Sequence, residues 1–223
     1  RKEKIFKVYK ILGMLALFAS LTVLMTYPLV FKLGSHLPDT LYEPLLNTWL
    51  LAWDVRQIST DPLNLFNANI FYPHERVLAY SEHLIGSSLL AMPIILLTDN
   101  AIMAYNFVFL LSFCISAAAM YLLVRYLTGH TWSAIIAALI FAFCPFRFSH
   151  LSQLQVLTIQ WLPLIFLYLH KYMAGARYRH LILFMIFYIL QALSCGYYIL
   201  FTTFFMVIFL LINIKRGSFA RQN

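Results

Sequence analysis

Apolar residues fall into long runs along this chain, with the polar residues gathered between them. The first run, Ile11 to Phe31, follows a basic stretch holding Arg1, Lys2, Lys4, Lys7 and Lys10. A membrane span takes about 20 apolar residues. This run is longer than the core of a cleaved signal peptide and ends at Tyr27-Pro28, so it predicts an anchored helix. A polar segment follows, Lys32 to His83, and then a short apolar stretch, Leu84–Leu97, with Pro93 inside it. Further runs are Ala101–Val124, Trp132–Phe146, Leu154–His170 and Leu181–Ile214. As one helix the last would reach about 51 Å, against a hydrocarbon core of about 30 Å. It predicts two helices turning at Ser194-Cys195-Gly196.

Whether Leu84–Leu97 crosses the bilayer sets the orientation of everything after it. If it does not cross, twelve of the sixteen Lys and Arg lie inside, leaving Lys32, Arg56, Arg76 and Arg147 outside. If it crosses, only six lie inside. The positive-inside rule selects the first arrangement, and a short segment with a proline suits a re-entrant or interfacial position. The predicted fold is an all-α polytopic transmembrane bundle of about six spans with both termini cytoplasmic. It forms one membrane domain over 1–223: a first span at 11–31, an outer loop at 32–100 carrying interfacial and re-entrant helices, and five spans within 101–214.

Composition strengthens this picture. The chain is 62% hydrophobic and only 11% charged, where a soluble domain carries about 25% charged residues. The net charge of +8 sits in short clusters between apolar runs. That is a topology signal; it does not point to nucleic acid, and no RNP, zinc-finger or recognition-helix signature accompanies it. Cys114, Cys144 and Cys195 each lie in or beside an apolar run and form no CxxC pair, which argues against a disulfide framework or a cysteine zinc site. The chain opens on Arg1 and stops just after a membrane run, and so reads as part of a longer protein.

The topology gathers the acids on one side. Asp39, Glu43, Asp54, Asp61, Glu75, Glu82 and Asp99, seven of the eight, fall outside, as do His36, His74, His83 and His150. Pro44 to Ile58 reads as a helix on the membrane surface. Trp49 and Trp53 share one face, and Glu43, Asn47 and Asp54 another. That second face is either ordinary interfacial polarity or the wall of a site. His74-Glu75 and Glu82-His83 are metal-ligand types without a fixed spacing. In the second outer loop, Arg147, His150, Gln153 and Gln155 cluster between two apolar runs. Arg147 there either binds a phosphate or headgroup, or snorkels. Tyr197 and Tyr198 at the third outer turn fit an aromatic belt or a stacking surface for a sugar. A nucleotide loop, a GxSxG motif and a haem site are absent from the sequence.

Several segments carry a resemblance: Glu43-Pro44-Leu45-Leu46-Asn47-Thr48-Trp49, Asp61-Pro62, Ile70-Phe71-Tyr72-Pro73, Tyr80-Ser81-Glu82-His83, Leu127-Thr128-Gly129 and Gln160-Trp161-Leu162-Pro163. Together with the acidic outer loop and the short proline-bearing segment, they resemble the N-terminal module of the GT-C superfamily of membrane glycosyltransferases, which includes protein O-mannosyltransferases and aminoarabinose transferases. The resemblance implies a bacterial plasma-membrane enzyme. It would move a sugar, with inversion, from a polyprenyl-phosphate donor lodged in the membrane lipid to an acceptor of unknown identity on the extracytoplasmic side. In that group an Asp commonly stands where Glu43 stands here, so Glu43 or Asp39 is the implied general base. Arg147, His150, Gln153, Glu82, His83, Trp49, Tyr197 and Tyr198 are the implied substrate contacts. Arg147, His150 or a divalent metal ion held near Glu43 and His150 would stabilise the leaving phosphate. Competing expectations are a lipid or small-molecule transporter or flippase, and a non-catalytic truncated membrane scaffold.

Overall fold

The computed structural model describes residues 2–39 and 42–215. Arg1, Arg216 and Arg221, counted above among the inside charges, lie outside the described residues. Every regular element described is helical: α1 (Lys2–Met25), α2 (Tyr42–Thr60), α3 (Ile85–Thr98), α4 (Ala101–Thr128), α5 (Thr131–Ala142), α6 (Pro145–Phe148), α7 (Leu154–Leu157), α8 (Leu162–Gly175), α9 (Tyr178–Ser194) and α10 (Gly196–Lys215), with short 3-10 turns at Leu29–Lys32, Pro62–Asn64 and Val77–Tyr80.

Helix α4 is the axis of the molecule and packs against α1, α2, α3, α5 and α8. Its ends are written in the sequence. Asn100 accepts a hydrogen bond from the Met103 N–H at 2.8 Å as N-cap, and Gly129 takes the left-handed conformation (φ 74°) that closes the C-terminus. Small buried residues let the neighbours come close: Ala104, Ser112, Ser116, Ala117 and Ala119 on α4, and Ala134, Ala138 and Ala142 on α5. In lipid, where apolar burial between helices gains little, such close packing is a main source of association. Gly86 does the same at the α3–α9 crossing, where an added Cβ would lie 2.9 Å from the Leu190 carbonyl oxygen and collide with the Ser194 hydroxyl.

The all-α membrane architecture stands, but the count of six spans is corrected. Among the described residues, three helical stretches are long and apolar enough to cross a membrane: Ala101–Thr128, Thr131–Phe148 and Gly196–Asn213. Tyr9–Met25, Ile85–Thr98 and Tyr178–Ser194 are shorter apolar helices. The expected span at Leu154–His170 breaks into the single turn of α7, a non-helical stretch, and α8, which at 14 residues is only about 21 Å long. The expected turn in the last run is present, since α9 ends at Ser194 and α10 starts at Gly196.

Both ends of α3 are tied to the same end of the bundle. The Gly196 N–H at the start of α10 donates to Glu82 Oε2 (3.2 Å), just before α3. Asn100, just after α3, donates from Nδ2 to the Gly34 carbonyl beyond α1 (3.1 Å). The opposite end of the bundle is marked by Lys10 Nζ donating to Thr131 Oγ1 (3.2 Å). Helix α2 caps the first end, with Leu50, Leu51 and Val55 buried against the core shared with α3 and α4.

Candidate functional site

The polar chemistry collects at the capped end, where α2 meets the turns between α5 and α8. Glu43 lies in the first turn of α2, where the N-terminal dipole favours a carboxylate. Its Oε1 accepts a hydrogen bond from Gln153 Nε2 at 3.2 Å, while its Oε2 is buried and has no partner. One turn further on, Asn47 donates to Gln155 Oε1 at 3.1 Å. These parallel contacts join two segments more than a hundred residues apart. They leave one carboxylate oxygen of Glu43 uncommitted.

Nearby opens a cavity of about 280 Å³ at the C-terminal end of α1. Met25, Leu29, Phe109 and Leu151 form an apolar wall, and Lys32, His36 and Asp39 supply the charged and polar rim. The rim is held in place by Asn106 on α4, whose Nδ2 donates to the carbonyls of Leu33 and His36, each at 2.7 Å. Asp39 is exposed and adopts φ 61°, a left-handed conformation that Asp tolerates better than most residues. Tyr105 stacks on Phe109 of the cavity wall (6.4 Å), and its hydroxyl is buried without a partner. Glu43 and Asp39 both lie within electrostatic range of Tyr105. The cavity is amphiphilic, apolar towards the bundle and cationic, with a carboxylate, at its mouth.

The structure puts the other sequence-derived candidates to different uses. Arg147 is fully buried. Its guanidinium donates to the Ala142 carbonyl (2.9 Å), the Leu157 carbonyl (2.7 Å) and Ser112 Oγ (3.0 Å), and lies over the Phe113 ring at 4.0 Å. These contacts pin the ends of α5 and α7 to α4. His150 directs Nδ1 at its own turn, near Ser149 Oγ (2.9 Å) and the Phe146 carbonyl (2.8 Å). Glu82 caps α10. The His83 ring sits edge-on to Phe66 with its Nδ1 accepting from the Ile85 N–H (3.4 Å), and its burial lowers its pKa. Trp49 stacks on Trp53 against the core. The Tyr198 hydroxyl donates to the Val156 carbonyl (2.8 Å), and Tyr197 is exposed. No group of three or more His, Cys, Asp or Glu side chains that could hold a metal ion forms among the described residues. Of the implied site, then, Glu43, Asp39 and Gln153 share one region, while Glu82, His83, Trp49 and Tyr198 have local partners.

Asp54 answers the question left open about the second face of α2. It is fully buried and turned towards α3, where Ser88 Oγ lies 2.7 Å from its Oδ2. Desolvation pushes its pKa up to about 7, against the smaller opposing effect of the Ser88 hydrogen bond. Ser88 has one proton and two acceptors in reach, Asp54 and the Leu84 carbonyl at 3.0 Å. Ser88 Oγ donates to Asp54 Oδ2, and the other carboxyl oxygen, Oδ1, is buried without a partner.

Lys32, His36, Asn106 and Tyr105 were not singled out as site residues. For Lys32 and His36 the available signal was their position directly after an apolar run and before Asp39; Tyr105 gave none inside its run.

A family model described as 6-pyruvoyl-tetrahydropterin synthase related domain, membrane protein, matches residues 87–223. No curated protein and no solved structure matches the chain. The match corrects the resemblance to the GT-C superfamily, since the family it identifies is a different one. Two motifs behind that resemblance, Leu127-Thr128-Gly129 and Gln160-Trp161-Leu162-Pro163, are a helix C-cap and a helix start, features that many helical bundles share. The matched residues include Tyr105, Arg147 and Gln153; Lys32, His36, Asp39 and Glu43 precede them.

Proposed function

Since the chain belongs to the 6-pyruvoyl-tetrahydropterin synthase related family of membrane proteins, we propose a function for its membrane-embedded site: transfer of a sugar from a polyprenyl-phosphate donor to an acceptor at the capped end of the bundle. The observation that carries this reading is the amphiphilic cavity lined by Asp39, four residues before Glu43. An isoprenoid tail matches the wall of Met25, Leu29, Phe109 and Leu151, and the donor phosphate matches the rim of Lys32 and His36. Glu43 Oε2 takes the proton of the acceptor hydroxyl as that oxygen bonds to the sugar carbon. The bond from that carbon to the phosphate oxygen breaks, and polyprenyl phosphate leaves. Gln153 holds Oε1, so that Oε2 is the free base. General-base catalysis of this kind contributes about 10²- to 10⁴-fold. A divalent ion belongs to this proposal as one carried in with the donor phosphate. The excess of Lys and Arg at the end opposite the cap supports an orientation with both termini cytoplasmic, in a bacterial plasma membrane.

The test is transfer of labelled sugar by the protein in proteoliposomes, across a panel of polyprenyl-phosphate sugars. Glu43→Gln is expected to lower kcat by about 100-fold or more, and Lys32→Ala to raise the donor KM with little change in kcat. Wild-type protein inactive with every donor would reject the reading. A second reading, a transporter or flippase, is favoured by polar atoms buried without partners inside the bundle: both amide atoms of Gln160, Gln191 Oε1, Ser87 Oγ and Ser116 Oγ. Substrate counterflow in the same vesicles would support it. Inactivity in both assays would leave a scaffold.

A further inference from the structure

The loop between α2 and α3 carries a second cavity, of about 570 Å³, lined by Phe71, His74, Glu75, Val77, Tyr80 and Ser81. It shares no lining residue with the cavity beside Asp39. Its two aromatic rings are open to the surroundings, Phe71 at 72% and Tyr80 at 87% of full exposure. Slackness of the loop does not explain this exposure, because the loop is anchored on all sides. Val77 and Leu78 are buried, and Phe66 and Ile70 pack on the core. Backbone contacts run from Leu78 N–H to the Phe66 carbonyl (3.2 Å), from Trp53 Nε1 to the Leu65 carbonyl (2.9 Å) and from Arg76 N–H to Asn67 Oδ1 (2.8 Å). Phe71 and Arg76, at φ 56° and 55°, hold a left-handed backbone that residues with a Cβ avoid. The anchored frame holds the Phe71 ring out of the core against its own preference.

The chemistry of the lining narrows what fits. One carboxylate, one imidazole and two hydroxyls sit among two aromatic faces, and none of these polar side chains is bonded to another described residue. No Lys or Arg lines the cavity, so a phosphate, a nucleotide or an acidic headgroup finds no counter-charge and meets Glu75 instead. A bare hydrocarbon chain would leave Glu75, His74 and Ser81 unpaired. A neutral sugar ring matches both halves. Its C–H face lies on an aromatic ring, and its hydroxyls donate to a carboxylate and exchange hydrogen bonds with the serine and imidazole.

We propose that this cavity is a saccharide-binding site, with Phe71 and Tyr80 as stacking platforms and Glu75 as the hydroxyl acceptor. The inference stands whether or not the protein transfers sugar, because it concerns binding without a donor. The test uses the full chain in detergent and four neutral probes, maltotriose, cellotriose, chitotriose and mannotriose, read by saturation-transfer NMR and titration. At least one is expected to bind, with Tyr80→Ala and Phe71→Ala each weakening it about tenfold and Glu75→Gln weakening it less. Leu63→Ala, at an exposed position outside the cavity, should leave binding unchanged. All four substitutions lie at exposed side chains, so equal melting temperatures confirm intact folds. Absence of binding by every probe at millimolar concentration would overturn the proposal. So would equal binding by the aromatic variants and wild type.

Discussion

Arg147 and Glu43 are both charged residues at the capped end of the bundle, and both join the turns after α5 to a neighbouring helix. Their surroundings differ in one respect. The Arg147 guanidinium has no exposed surface: its two terminal nitrogens donate to three acceptors and it lies over an aromatic ring, and only its Nε is left without a partner. Glu43 is half satisfied: one oxygen is bonded to Gln153, and the other is without a partner. A charge whose hydrogen bonds all point inward holds the structure together. A charge with one oxygen unbonded keeps spare capacity for chemistry. Asp54 lies between these cases, buried like Arg147 but with Oδ1 unpartnered like the free oxygen of Glu43.

This contrast can be broken in three places. The largest effect is expected at Arg147. Arg147→Leu removes the donors from the Ala142 and Leu157 carbonyls and should cost about 3 kcal/mol or more, seen as a lower melting temperature in detergent. Arg147→Lys should recover little, because a single ammonium does not reproduce the fork that spans three acceptors. Stability unchanged in Arg147→Leu would put Arg147 in the same class as Glu43.

Asp54 comes next, and its effect depends on pH. Its folded pKa of about 7 lies above the ordinary carboxylate value, so the folded protein binds a proton there more tightly than the unfolded chain does. Stability from this group is therefore fully present in acid, is lost as pH rises from about 4 to about 7, and is flat beyond that. A loss of up to about 4 kcal/mol is expected across the window. Asp54→Asn should flatten the melting-temperature profile there. A wild-type profile already flat would mean that Asp54 is charged in the folded state.

The smallest effect belongs to Gln153. Gln153→Ala removes the donor to Glu43 Oε1 and should cost about 1 kcal/mol or less. In transfer assays the free orientation of the carboxylate should lower kcat more than it changes donor KM. An unchanged kcat would remove Gln153 from its positioning role.

Much of the architecture was legible as hydropathy. The helical character of α1 and α2 and the break at Cys195 follow directly from runs and turn residues, although α1 ends at Met25 and not at Phe31. The span expected at 154–170 failed because hydropathy does not register where backbone hydrogen bonds go. At Leu157 and Thr158 the helix can stop because Arg147 takes the Leu157 carbonyl and Gln191 Nε2 donates to the Thr158 carbonyl at 3.0 Å. The candidate site was legible in part. Glu43 and Asp39 stood out as acids after an apolar run, but the pairing of Glu43 with Gln153 joins positions 110 apart and leaves no local trace. Arg147 was open to misreading, because a lone arginine between apolar runs has the same appearance whether it meets a phosphate or three carbonyl and hydroxyl oxygens of its own chain.

The partners of Arg147 also bear on how the chain is built during synthesis. Ser112 and Ala142 precede it in the chain, and Leu157 follows only ten residues later. Domains form in order from the N-terminus as the ribosome elongates them. When the guanidinium enters the bilayer, two of its three acceptors have therefore already been made, and the third arrives within seconds at ordinary elongation rates. The cation has little time in lipid without company.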